Sequence, residues 1–320
     1  MQREVVRLFD WSDKQAIRSQ LAALASASWW VYSFSEPPTP DQALWLSQQQ
    51  SRCPDEIVIR FFECAQADFA FLRHFSRIKT LNIQLAMELE NLEFLIDLPA
   101  LQILCLPETT SPRISLIPVL GLEHLRVLHM GGMKCDLSLL RRLPSLEKLK
   151  LERYKLEHLS WLSEARKLQW LAVDLGSIIN WGAIPKLSVR YLRLVGVRGA
   201  VNLDFISLID SLELLYVEGM GAVERLPDFS RQRLLRRVYL NRLSKLTDLS
   251  ALLTARNLED LIMEESPMDV SRIGLLLHHP TLKHARIGTR STKKNAAIEQ
   301  VLGLSAETPE FVYADGSLER

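Results

Sequence analysis

An apolar pattern, apolar-x-x-apolar-x-apolar, recurs ten times along the chain at a near-constant period. That one feature fixes most of what the chain is free to fold into. The copies start at Ile78, Leu101, Leu125, Leu146, Leu168, Val189, Leu212, Leu235, Leu258 and Leu282, with 21 to 24 residues between starts. Alternation inside a copy, as in Leu149-x-Leu151, is the period-two signal of a short strand. Between copies, three-spaced residues such as Leu156, Leu159 and Leu162, or Leu246, Leu249 and Leu252, suit a helical turn that closes the coil. A single coil has no second surface against which to bury its leucines, so neighbours must stack. Leucine makes up 59 of the 320 residues, enough to fill such a core. Ten strands at about 4.8 Å spacing give a parallel sheet roughly 45 Å long.

These residues resemble a leucine-rich-repeat protein of the short class of about 22 residues per coil, found in internalins and in a phosphatase regulatory subunit. The resemblance covers residues 77–304. It implies an α/β solenoid: a curved parallel sheet on the concave side, short helical or 3-10 turns on the convex side, and a helical N-terminal cap. The family commonly places Asn at offset eight from the first apolar position, where its amide bonds the backbone of adjacent coils. Here those positions are Ala86, Thr109, Met133, Tyr154, Gly176, Val197, Met220, Leu243, Ser266 and Arg290. Buried turn backbone must therefore find other partners, and the coils are expected to be irregular.

Terminal coils expose a leucine face unless capped. Residues 1–76 are expected to form the N-terminal cap, residues 77–304 the solenoid, and residues 305–320 a loosely held tail. Ser12-Asp13-Lys14-Gln15 reads as a capping box opening a helix with Ile17, Leu21 and Leu24 on one face. The uncharged stretch Ser19–Ser35 reads as a buried helix rather than a secretion signal, because Glu4, Asp10 and Asp13 precede it. A second helix starts at Asp41, and Ile57–Phe61 reads as a strand one period before Ile78. Trp29, Trp30, Phe34 and Trp45 are expected in the cap core. Lys293–Leu302 reads as a capping helix with Ala297, Ile298 and Val301 inward.

In such strands the residues at offsets two, four and six point to the concave solvent side. Trp170, Tyr191, Tyr216 and Tyr239 then fall on neighbouring strands, with Lys148, Lys150, Arg193 and Arg237 around them. Exposed aromatics with arginine are the residue types that dominate protein interfaces, each hot spot contributing about 2 kcal/mol or more. The third row carries Glu152, Asp174, Glu218 and Glu264 and no basic residue. The second carries Lys150, Arg193 and Arg286 and no acidic one. Such a surface would orient a partner by charge. The expected partner-binding set is Lys148, Lys150, Trp170, Asp174, Tyr191, Arg193, Tyr216, Glu218, Arg237 and Tyr239.

Several chemistries find no support. Cys53, Cys64, Cys105 and Cys135 contain no CxxC pair, which argues for a reducing, cytoplasmic setting without disulfide framework or zinc site. No apolar run of 18 residues marks a membrane span, and no GxxxxGK[ST] or GxGxxG loop marks a nucleotide site. Cys105 and His129 fall in one row on adjacent strands, but no orienting group is evident. The net charge is +1, and the acidic row would repel a phosphate backbone. The expected function is non-enzymatic: the concave sheet binds a protein partner, as an inhibitor or immunity protein. Alternatives are a scaffold or enzyme regulatory subunit, an enzyme whose chemistry sits in the N-terminal region, and a surface adhesin. No cofactor, metal, nucleic acid, membrane or small-molecule substrate is expected.

Overall fold

The recurring pattern folds into strands whose apolar residues stack in register. A computed structural model describes residues 5–7, 14–23, 30–34, 37–48, 56–61, 69–84, 89–109, 113–180, 188–199 and 202–303. The chain divides into two compact units, Met1–Tyr154 with Glu164–Leu168, and Lys155–Ser163 with Gln169–Arg320.

The first unit holds strands β1 (Val5–Arg7), β2 (Trp30–Phe34), β3 (Glu56–Phe61), β4 (Thr80–Gln84), β5 (Ile103–Leu106), β6 (Val127–Met130) and β7 (Lys148–Glu152). They pair in chain order, all parallel. Leu81, Leu104, Leu128 and Leu149 stand side by side across them, and none is measurably exposed. Helices α1 (Lys14–Ala23), α2 (Pro40–Gln48) and α3 (Ile117–Leu120) and 3-10 turns at Ala70–Phe75, Glu93–Asp97 and Leu137–Arg142 return the chain.

The second unit has a main parallel sheet of β9 (Trp170–Asp174), β11 (Tyr191–Val195), β12 (Leu214–Glu218), β13 (Arg237–Asn241), β14 (Asp260–Glu264) and β15 (His284–Ile287). Leu171, Leu192, Leu215, Val238, Leu261 and Ala285 form its inward row. Two further strands, β8 (Lys155–His158) and β10 (Ser177–Asn180), pair in a small parallel sheet of their own. Helix α4 (Val270–Ile273) lies in the last return, and α5 (Thr292–Leu302) follows the last strand. It buries Ile298 and Leu302.

Some local expectations change. The stretch Ser19–Ser35 is not one helix: α1 ends at Ala23, and Trp30–Phe34 is a strand between β1 and β3. The strand expected at Ile57–Phe61 is β3, paired with β4. The proposed capping residues Ser12 and Asp13 lie outside the described residues, as do Trp29, Cys53, Cys64 and the C-terminal tail. The reciprocal cap that is seen opens α2, where Thr39 N donates to Gln42 Oε1 at 2.8 Å and Gln42 N to Thr39 Oγ1 at 3.4 Å. Trp45 is half-exposed beneath the Arg18 guanidinium, 5.6 Å from its ring centre, rather than in the core. Leu156 lies in β8 rather than a helical turn.

The missing asparagines have identifiable substitutes. Gln232 and His279 occupy the position three before the first coil leucine, which is apolar at Leu98, Leu122, Leu143, Ala165, Ile209 and Ala255. Gln232 Nε2 donates to the carbonyls of Ile206, Ser207 and Ile209 at 3.2, 3.0 and 3.4 Å. His279 Nε2 reaches the carbonyls of Leu252 and Ala255 at 3.2 and 3.1 Å. Both side chains are buried. Each holds the 3-10 turn of the coil before it, supplying donors that the backbone of that turn lacks. Elsewhere an Asp-x-Ser step opens the turn. Asp136, Asp228 and Asp248 accept from the amides of Ser138, Ser230 and Ser250, a side-chain turn that starts the return without a regular helix.

His279 makes the coil acid-sensitive. Its bonds to two carbonyls need a proton on Nε2, and Nδ1 accepts from Thr281 N at 3.4 Å, so the buried ring is neutral. Burial lowers its pKa from the usual value. The unfolded chain, with an ordinary pKa near 6.5, binds this proton more readily than the folded one. The stabilisation is therefore complete above about pH 6.5 and is lost as pH falls below it. His279→Gln keeps a donor and should lose less stability than wild type in urea unfolding between pH 7.5 and 5.5. His279→Ala should cost about 1–3 kcal/mol at neutral pH. Equal acid sensitivity of wild type and His279→Gln would remove this role.

Candidate functional site

The outward side chains of the two units differ in kind. In the first unit, Ile103, Cys105, Val127, His129, Lys148 and Lys150 are all half-exposed. Lys148 and Lys150 sit on β7, and Lys150 Nζ lies 3.4 Å from Glu152 Oε2. In the second unit the outward face is sealed by its own side chains. Trp170, Tyr216 and Tyr239 are 8%, 5% and 3% exposed, so the expectation of open aromatics is corrected. Tyr216, Tyr239, Leu214 and Ile262 form a second apolar cluster, with Tyr191 and Val195 packed against it. β-Sheet register explains the closure. Tyr216 and Tyr239 are directly paired, and their rings stack at 5.8 Å and 24°. Large side chains in register on adjacent strands cover one another.

Charge is neutralised within the same face. Arg193 lies over the Tyr216 ring at 4.8 Å and its Nε reaches Asp174 at 3.2 Å. The Tyr216 hydroxyl donates to Glu218 Oε2 at 2.6 Å, and Arg242 Nη2 reaches Glu218 Oε1 at 2.6 Å. Asp260 is buried between Arg237, at 2.9 Å, and His284, at 2.7 Å. Arg286 meets Glu264 at 2.7 Å. Arg193 and Arg286 of the second row thus pair with Asp174 and Glu264 of the third row one coil before them. The two rows do not form opposite fields that would orient a partner. What stays accessible is a rim: Tyr191, Arg193, Val195, Glu218, Arg237, Asn241 and His284 half-exposed, Arg286, Glu264 and Arg242 exposed.

The structure therefore brings Trp170, Asp174, Tyr191, Arg193, Tyr216, Glu218, Arg237 and Tyr239 onto one face of the second unit, and places Lys148 and Lys150 on the first unit. Sequence reasoning missed Asp260, His284 and Arg242 as site members. Asp260 and His284 were visible as adjacent members of one row. Arg242 was not, because it sits at the strand exit in the left-handed conformation, φ 53°, where the strand alternation no longer predicts direction.

His284 with Asp260 is an imidazole oriented by a carboxylate, but among the described residues no serine, threonine or cysteine side chain bonds to that ring. No group of three metal-ligating side chains is present among the described residues. No described helix is long and apolar enough to cross a membrane.

No protein-family model matches the chain, and no curated protein matches it significantly. Solved structures do. A leucine-rich-repeat protein of Leptospira interrogans is 14% identical and covers 86% of this chain and 63% of its own, with a TM-score of 0.50. The internalin InlF of Listeria monocytogenes is 13% identical over 91% of this chain and 77% of its own, TM-score 0.49. Internalin C2 of the same organism is 21% identical over 59% of this chain and 82% of its own, TM-score 0.44. The Leptospira likeness carries the fold and nothing beyond it.

Proposed function

Because the chain folds as a leucine-rich-repeat solenoid, we propose that it is a non-catalytic module that binds a protein partner through the outward face of its second unit. The observation that carries this reading is the pre-ordered platform: stacked Tyr216 and Tyr239, clamped by Arg193, Asp174 and Glu218, beneath a rim of Tyr191, Arg237, His284 and Arg286. A surface already fixed by its own contacts loses little side-chain freedom on binding. That economy suits the inhibitor or immunity-protein form of the reading, in which a rigid surface plugs a site on another protein. Thiols at Cys105 and Cys135 support a reducing, cytoplasmic setting.

The experiment is affinity capture with full-length bait, followed by titration of the recovered partner. Tyr191→Ala with Arg286→Ala removes two rim side chains and leaves the stacked Tyr216–Tyr239 pair unaltered, though Tyr191 also packs against that cluster, so the variant's unfolding is measured alongside. Each hot spot is worth about 2 kcal/mol, so either single variant should bind about thirtyfold more weakly and the double variant several hundredfold, roughly the product of the two. Equal affinity of wild type and variant would remove this face from the reading.

A further inference from the structure

The outward face of the first unit places a thiol beside an imidazole. Cys105 on β5 is paired with His129 on β6, and Cys105 Sγ lies 3.5 Å from His129 Nδ1. Both side chains are half-exposed. Asn82 faces Cys105 from β4, and Lys150 faces His129 from β7. Lys148 stands two residues before Lys150, whose ammonium lies 3.4 Å from Glu152. A thiol in contact with a base and open to reagents is the arrangement that raises the thiolate fraction of a cysteine. The same chain holds a contrasting reference. Cys135, half-exposed like Cys105, has the Tyr154 hydroxyl 4.0 Å from its Sγ, and desolvation pushes its thiol up to about 11.

We propose that Cys105, with His129 as its base, is a reactive thiol site that takes small disulfides of the glutathione class. His129 Nδ1 accepts the Sγ proton, and the thiolate attacks one sulfur of the disulfide. The S–S bond breaks as the new one forms. The departing sulfur leaves as a thiolate and takes the proton back from the imidazolium. Cys105 ends oxidised in a mixed disulfide, the leaving half ends reduced as a thiol, and no further oxidant is needed. The adduct would sit on the outward rows of the first unit, a reversible mark on an otherwise permanent surface.

The test uses the full chain with oxidised glutathione, and separately with iodoacetamide, from pH 5.5 to 9. Peptide mass spectrometry resolves each cysteine, so Cys53 and Cys64 are read apart from Cys105. At pH 6.5 Cys105 should react about tenfold faster than a small free thiol. Its rate should level off below the ordinary thiol midpoint of about 8.5. Cys135 should remain unmodified over the same time. His129→Gln should return the profile to that midpoint and remove about tenfold of the rate at pH 6.5. A Cys105 rate equal to that of the small thiol, or a profile unchanged by His129→Gln, overturns the proposal. If the variant does not fold, the wild-type profile decides alone.

Discussion

Tyr239→Ala should destabilise the second unit by about 3–5 kcal/mol, although the residue stands on the side of the sheet away from the leucine core. Its ring is 3% exposed, stacked on Tyr216 and packed with Leu214 and Ile262. Removing it leaves a cavity between side chains held apart by the strand spacing, so the gap cannot close. Tyr239→Phe keeps the ring and should retain most of the stability. Denaturant unfolding of the two variants separates these cases. A loss of under about 1 kcal/mol in Tyr239→Ala would mean that the ring contributes no more than an open surface residue.

Gly131→Ala should be nearly as damaging for a different reason. A Cβ at Gly131 would lie 2.2 Å from Glu108 N and 2.6 Å from the Pro107 carbonyl carbon. Both are backbone, so no side-chain rotation relieves the clash. The two segments are tied on both sides, by Gly131 N to Leu106 O and by Thr109 N to Gly132 O, each 3.0 Å. Parting them breaks those bonds, and the expected cost is about 3 kcal/mol, the upper end of the range for overpacking. Gly288 offers the control. It holds the same place in the last coil, yet its added Cβ would meet nothing nearer than Met263 O at 3.8 Å. Gly288→Ala should be close to neutral, and equal losses at both glycines would refute the steric account.

Much of the fold was legible because a coil's identity depends on single residues at fixed spacing. Leu171, Leu192, Leu215 and Leu261 fall where the period puts them. Strands β1 and β2 were not legible, since their segments carry no leucine repeat. The turn partners Gln232 and His279 could have been found: each is a polar residue at a coil position that is otherwise apolar. The candidate site was legible in placement and misread in exposure. Whether Tyr216 is open depends on Tyr239 and Arg193, residues 23 away on either side. One strand's alternation does not contain that information. Comparing rows diagonally would have shown that Arg193 meets Asp174 and Arg286 meets Glu264, and so that the face neutralises itself.

The most direct measurement is photo-crosslinking from two positions of the second unit. A benzophenone side chain replaces Tyr191, half-exposed on the outward face, or Leu208, exposed in the 3-10 turn Asp204–Leu208. Docking on the outward rows predicts covalent capture of the partner from position 191 and none from position 208. Capture from 208 alone would contradict it, and would move the binding surface to the turn side of the coils.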